Sequence, residues 1–198
     1  MRSGIILAGG RSTRFGGGEK SLKPVNGQPM ICHVREAIRP LVDEIVVSVR
    51  DEQQRDRVYP YLIDGNNAFA YDELRDIGPL AGVLQSLKAA HGEYVVVVAC
   101  DMPLVNTRAI ELLFEKAQGH DAAVPLGHDG FLEPLHAVYR REPMIRAVEE
   151  SIRKGERRIA APLKYLKDVV YVPVDQIRTV DPELKTFLNV NRAEDLPK

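Results

Sequence analysis

Short apolar runs and helical stripes alternate along most of this chain. Ile5–Ala8, Glu44–Val49, Ala68–Tyr71, Tyr94–Cys100 and Ala122–Val124 are brief and rich in β-branched residues, which predicts strands. Between them, residues 29–40, 52–62, 80–90 and 106–118 carry apolar side chains at helical spacing, as in Ala109, Leu112 and Leu113. That rhythm predicts an α/β fold of three layers, Rossmann-like, with a mostly parallel central sheet and helices on both faces. The run Val95-Val96-Val97-Val98 is apolar on both sides and belongs in a central strand. After Leu135 the pattern changes: His136–Tyr139 and Val169–Val172 read as strands, 142–154 and 157–166 as helices, and 192–196 as a short terminal helix. No internal repeat, low-complexity tract or linker breaks the sequence, so residues 1–198 are read as a single domain.

The first predicted strand runs straight into Gly9-Gly10-Arg11-Ser12-Thr13-Arg14-Phe15-Gly16-Gly17-Gly18-Glu19-Lys20. Glycines let a backbone bend freely and let a ligand approach its N–H groups without a Cβ in the way. Successive N–H groups make an anion-binding concavity, to which Arg14 and Lys20 add fixed positive charge. Two familiar phosphate loops do not fit. A Walker loop needs Gly-Lys-Ser/Thr, whereas Lys20 follows Glu19; a dinucleotide fingerprint starting at Gly16 needs glycine at 21, where Ser21 stands. A flexible surface loop is the bland alternative. The preceding buried strand and the three cations favour a nucleotide triphosphate site instead.

Bulk properties confine any polyanion site to a local one. The chain has 198 residues, 44% of them hydrophobic, with a formal net charge of −1. It therefore offers no global attraction to nucleic acid or to anionic membrane. Cys32 and Cys100 suggest no disulfide framework, and no secretory signal or membrane-length apolar run is visible, so a cytoplasmic location is expected.

Ligands of open α/β sheets bind beyond the carboxyl ends of the strands. The loops after Leu7, Tyr71 and Cys100 should therefore ring one crevice. Asp101, directly after the central strand, is a natural anchor for Mg²⁺, which takes one or two carboxylates and completes its octahedron with water and substrate phosphates. The competing role, capping the next helix, suits Asn106 or Thr107 better. Asp72 reads either as an acceptor for the paired N–H donors of guanine or as an ordinary turn aspartate. Gly78-Pro79 shapes a helix start, and Gly82 would permit close approach of a ring or a backbone. Arg153 to Arg158 form a local basic cluster that reads as a second phosphate site or as a solvated face. The five histidines lack zinc spacing, and His136 is placed to border the crevice.

Taken together, Leu-Ala-Gly-Gly-x-Ser-x-Arg-Phe-Gly, Glu19-Lys20-Ser21-Leu22, Ile77-Gly78-Pro79-Leu80-Ala81-Gly82, Cys100-Asp101-Met102-Pro103, Gly155-Glu156-Arg157-Arg158 and Phe187-Leu188-Asn189-Val190-Asn191 resemble the molybdenum cofactor guanylyltransferases. The first motif alone implies only the wider nucleotidyltransferase superfamily and its fold. The resemblance implies transfer of GMP from GTP to the terminal phosphate of molybdopterin, with release of pyrophosphate. Nucleotide contacts would fall on Leu7, Ala8, Gly9, Gly10, Lys20, Ser48, Asp72, Gly78, Pro79 and Asp101, with Asp101 also holding Mg²⁺. Arg157, Arg158, Asn189 and Asn191 would face the acceptor. The nucleotide-binding part would span about residues 1–105 and the acceptor-binding part about 106–198. Arg14, Lys20 and Asp101 are the expected catalytic groups, because they neutralise the charge of two anions brought together. Contact with the protein that supplies molybdenum-loaded pterin and with client molybdoenzymes is implied by the family alone. Two departures stand out: Ser48 occupies a position where the family often has asparagine, and Glu133-Pro134-Leu135-His136 is a variant stretch. The alternatives are a related guanylyl- or cytidylyltransferase acting on cobinamide phosphate, a phospholactate or a sugar phosphate, and a non-catalytic nucleotide-binding adaptor.

Overall fold

The computed structural model describes residues 1–9, 19–62, 67–72, 78–191 and 195. Along the chain they form β1 (Arg2–Leu7), a small ribbon of β2 (Pro24–Val25) and β3 (Gln28–Pro29), α1 (Met30–Ile38), β4 (Glu44–Val49), α2 (Glu52–Val58), β5 (Asn67–Tyr71), α3 (Pro79–Ala89), β6 (Tyr94–Ala99) and α4 (Thr107–Ala117). They continue as β7 (Ala122–Leu126), β8 (His136–Arg140), α5 (Arg141–Arg153), β9 (Val169–Pro173) and α6 (Val174–Arg178). Seven strands make one sheet in the order β5-β4-β1-β6-β8-β7-β9, which puts the four-valine strand β6 at its centre. β8 runs antiparallel to β6 and β7, and the other neighbours are parallel. The sheet is thus mostly parallel and mixed at one place.

Two-residue alternation divides the core between the faces of this sheet. Ile6, Val47, Val96 and Val98 pack with α1, α4 and α6 on one side. Ile5, Val46, Val95 and Val97 pack with α3 and α5 on the other. The result is the expected three-layer arrangement.

Prolines account for several differences from the helical periodicity. α1 and α2 each give way to a single 3₁₀ turn, Arg39–Leu41 and Tyr59–Tyr61, which contain Pro40 and Pro60. Proline supplies no N–H for continuing an α-helix. The expected helix over 157–166 is only a 3₁₀ turn at Ala161–Tyr165, again containing a proline, Pro162. The β2–β3 ribbon escaped the strand pattern because its strands are two residues long. Its signal was the Asn26-Gly27 pair, both with positive φ, at 48° and 83°. The expected terminal helix at 192–196 falls mostly outside the described residues.

A buried latch closes the amino-terminal end of the sheet. Glu44, which begins β4, accepts hydrogen bonds from Ser3 Oγ at 2.6 Å and from His91 N at 2.6 Å, and its other oxygen lies 3.0 Å from His91 Nδ1. Gly92 N in turn donates to Ser3 Oγ at 2.8 Å. Burial alone pushes this carboxyl up, but the bonds from Ser3 and His91 outweigh it and hold the group below its ordinary 4.5. A folded-state value lower than the unfolded one stabilises the protein above the unfolded value, and that contribution is lost as pH falls. Melting temperature should therefore drop between about pH 5 and about pH 3, and less steeply in Glu44→Gln than in the wild type. Parallel slopes in a thermal melt series would remove the latch from the account of acid sensitivity.

Candidate active site

Four adjacent parallel strands, β5, β4, β1 and β6, are stitched together at their carboxyl ends. Ala8 N donates to Ser48 O at 3.0 Å, Cys100 N to Leu7 O at 3.1 Å, and Asp72 N to Val49 O at 3.0 Å. These bonds extend the sheet ladder one step past β1, β5 and β6. The chain segments bearing Ala8, Asp72 and Asp101 therefore leave the sheet at the same end, those of Ala8 and Asp101 from adjacent strands, as the strand-end rule requires.

Lys20 opens a 3₁₀ turn, Lys20–Leu22, and reaches across the end of β6. Its Nζ donates to Asp101 Oδ2 at 2.5 Å and to Asn191 Oδ1 at 2.8 Å. The lysine and aspartate side chains are 19% and 23% exposed, enough to meet a ligand and screened enough for charge to act strongly. Asp101 is no helix cap. Asn106 caps α4, accepting from Arg108 N at 2.9 Å and Ala109 N at 3.3 Å, while Thr107 Oγ1 donates to Ala37 O at 2.9 Å. The carboxylate is left to the crevice.

Residues far along the chain complete this centre. Val190 N donates to Asp101 O at 2.8 Å, which lays the segment around Asn191 against the aspartate. Upstream, Asn106 N donates to Thr186 Oγ1 at 3.0 Å, Thr186 N donates to Asp181 Oδ2 at 2.8 Å, and Thr186 Oγ1 shares a 3.0 Å hydrogen bond with His136 Nε2. His136 is fully buried, edge-on to Phe187, and burial pushes it down to about 3. It stays neutral behind the crevice instead of bordering it, and it anchors the returning chain.

The other expected site residues are spread over several elements. Leu7, Ala8 and Gly9 stand at the end of β1, beside the lysine–aspartate pair in the ladder described above. Gly78, with φ +78°, starts α3, and a Cβ placed there would come within 4.0 Å of Arg157 O, so the basic segment after α5 adjoins the start of α3. Arg157 and Arg158 are exposed and line a cleft of about 490 Å³ together with Glu156, Ala160, Ala161 and Lys164. Ser48 is buried, and a Cβ on Gly82 would lie 2.7 Å from its Oγ. Gly82 therefore serves close packing of α3 on β4, not approach by a ligand. Asn189 is exposed, two residues before the asparagine that meets Lys20. Gly10 and Arg14 lie outside the described residues.

Cys100, next to Asp101, is buried, and desolvation together with the adjacent carboxylate pushes its thiol up to about 12. It is a protonated core residue and not a nucleophile. Cys32 is buried as well, and the two thiols are not bridged. Among the described residues no helix is long and apolar enough to cross a membrane.

Fold and site together define a nucleotidyltransferase. The chain belongs to the MobA-like NTP transferase family, whose sequence pattern covers residues 4–169. It is 42% identical to a protein of Methanosarcina mazei named as a probable molybdenum cofactor guanylyltransferase, over 99% of this chain and 88% of that one. A protein of the same name from Natronomonas pharaonis is 40% identical over 100% of this chain and 96% of its own length. The crystal structure of molybdopterin-guanine dinucleotide biosynthesis protein A from Archaeoglobus fulgidus superposes with a TM-score of 0.79 at 32% identity, covering 98% of this chain and 94% of that chain.

Proposed function

We propose that this protein is a molybdenum cofactor guanylyltransferase, which moves GMP from GTP to the terminal phosphate of molybdopterin and releases pyrophosphate. The observation that carries the reading is the meeting of Lys20 with Asp101 at 2.5 Å, at the carboxyl end of the central strand. Relatives at about 40% identity over nearly the whole chain supply the acceptor and the base. The acceptor phosphate needs no strong general base, because a phosphate monoester with a second pKa of about 6 is largely dianionic at neutral pH. The barrier is the repulsion between two anions. Lys20 would offset that repulsion and the charge accumulating on the departing pyrophosphate, and Arg14 is proposed for the same task. Gly9 and the glycines after it would hold the triphosphate by backbone N–H groups, leaving the α-phosphorus open to in-line attack. Asp72, Gly78 and Pro79 are proposed for the base and ribose side, and Arg157, Arg158 and Asn189 for the acceptor phosphate. Asn191, hydrogen-bonded to Lys20, would join the two halves.

Asp101 also fits a divalent cation. Among the described residues no group of three or more His, Cys, Asp or Glu side chains could hold a metal by itself. One partly exposed carboxylate at a strand end suits an ion that shares its ligands with substrate phosphates. When bound there, Mg²⁺ would neutralise phosphate charge as a Lewis acid.

Pyrophosphate release from GTP and from CTP, each measured with molybdopterin or cobinamide phosphate, tests the reading. The expected result is release with GTP and molybdopterin only. A preference for CTP, or for cobinamide phosphate, would overturn it.

A further inference from the structure

Glu19 is a carboxylate buried next to the site, its side chain only 5% exposed, and the reaction as described does not use it. Beside it Gln54, in the first turn of α2, is wholly buried. Gln54 Nε2 donates to Ala8 O at 2.9 Å and to Glu19 Oε2 at 2.6 Å. Its Oε1 accepts from Arg50 N at 2.7 Å, and its own N–H donates to Asp51 Oδ1 at 2.7 Å. Glu19 Oε1 also accepts from Arg57 Nη1 at 3.0 Å and Arg50 Nη2 at 3.3 Å. An amide and two guanidinium groups thus compensate the desolvation of one carboxylate.

The placement of this cluster in the chain gives it meaning. The chain leaves β1 at Ala8 for the glycine-rich segment and returns from it at Glu19. One amide nitrogen holds both points. Leu22 N then donates to Glu19 O at 3.1 Å, which starts the turn that carries Lys20. Fixing Glu19 therefore fixes the base of the lysine that meets Asp101. An apolar pair could fill the same space at similar stability, but it would not set where the returning chain sits.

We propose that Gln54 and Glu19 form a clip at the base of the glycine-rich segment, and that both are positioning residues holding Lys20 and the triphosphate in register for transfer. The proposal rests on the nucleotidyl-transfer reading above. Misplacement by a fraction of an ångström to an ångström can cost about a hundredfold in rate. In the full chain, Gln54→Leu should lower kcat by about ten- to a hundredfold and raise the KM for GTP, while the KM for molybdopterin stays unchanged. Glu19→Ala should behave alike, and Glu19→Gln, which keeps an acceptor oxygen for Gln54, should recover most of the loss. Circular dichroism and thermal melts establish that the variants are folded. A folded Gln54→Leu protein with wild-type kcat, or a Glu19→Gln protein as impaired as Glu19→Ala, overturns the clip. If Gln54→Leu does not fold, the order of the two Glu19 variants decides. Calorimetry of wild-type protein with GTP and no acceptor separates the two levels: absent binding refutes the transfer reading and, with it, this proposal.

Discussion

Asp101→Asn should reduce nucleotidyl transfer by about two to three orders of magnitude while leaving the melting temperature nearly unchanged. The substitution keeps the shape of the side chain and leaves the backbone bond from Val190 N to Asp101 O intact. It removes only the charge. Lys20 then faces a neutral oxygen or an amide N–H, and the end of β6 loses its negative charge. Removal of a single preorganised electrostatic contact from an active site commonly costs about 10²–10³ in kcat, which sets the expected size. Steady-state pyrophosphate release gives the number, and a fall of less than about tenfold would mean that Asp101 is structural.

Lys20→Met should have an effect of similar size, about two orders of magnitude or more in kcat. Methionine keeps an unbranched stem, so packing changes little and the lost ammonium dominates. Its loss takes away the ammonium that joins Asp101 Oδ2 to Asn191 Oδ1. Lys20→Arg should not restore activity, because a planar fork does not occupy the place of a compact ammonium between two acceptors. Residues that act as one unit are not additive, so the Lys20→Met/Asp101→Asn double variant should be scarcely worse than the poorer single variant. A double variant impaired by the product of the two single losses would show that lysine and aspartate act separately.

Much of this arrangement was legible because its causes are local. Four consecutive valines can be covered only in the middle of a sheet, which is where β6 stands. Asp101 stood out by following that central strand directly. What escaped depends on partners distant in sequence. Gln54 sits among polar residues of a short helix and reads as surface; it is buried because its amide meets Ala8, 46 residues away, and Glu19, 35 residues away. The reversed direction of β8 left no trace either, since alternation along a strand is the same whichever way the strand runs. His136 looked like a crevice residue by position, whereas its partner Thr186 lies 50 residues further on and draws it inward. Gly82 was correctly singled out as a place of close approach, but the approaching group is Ser48.

The ion pair and its asparagine come from three stretches of chain that are made at very different times. Lys20 and Asp101 emerge from the ribosome well before Asn191, and the bond from Val190 N that seats this last stretch forms only once it has been synthesised. A nascent polypeptide therefore carries an unfinished centre until the stretch around Asn191 has been made, and the assembled charge arrangement arises only after that partner joins the folded sheet.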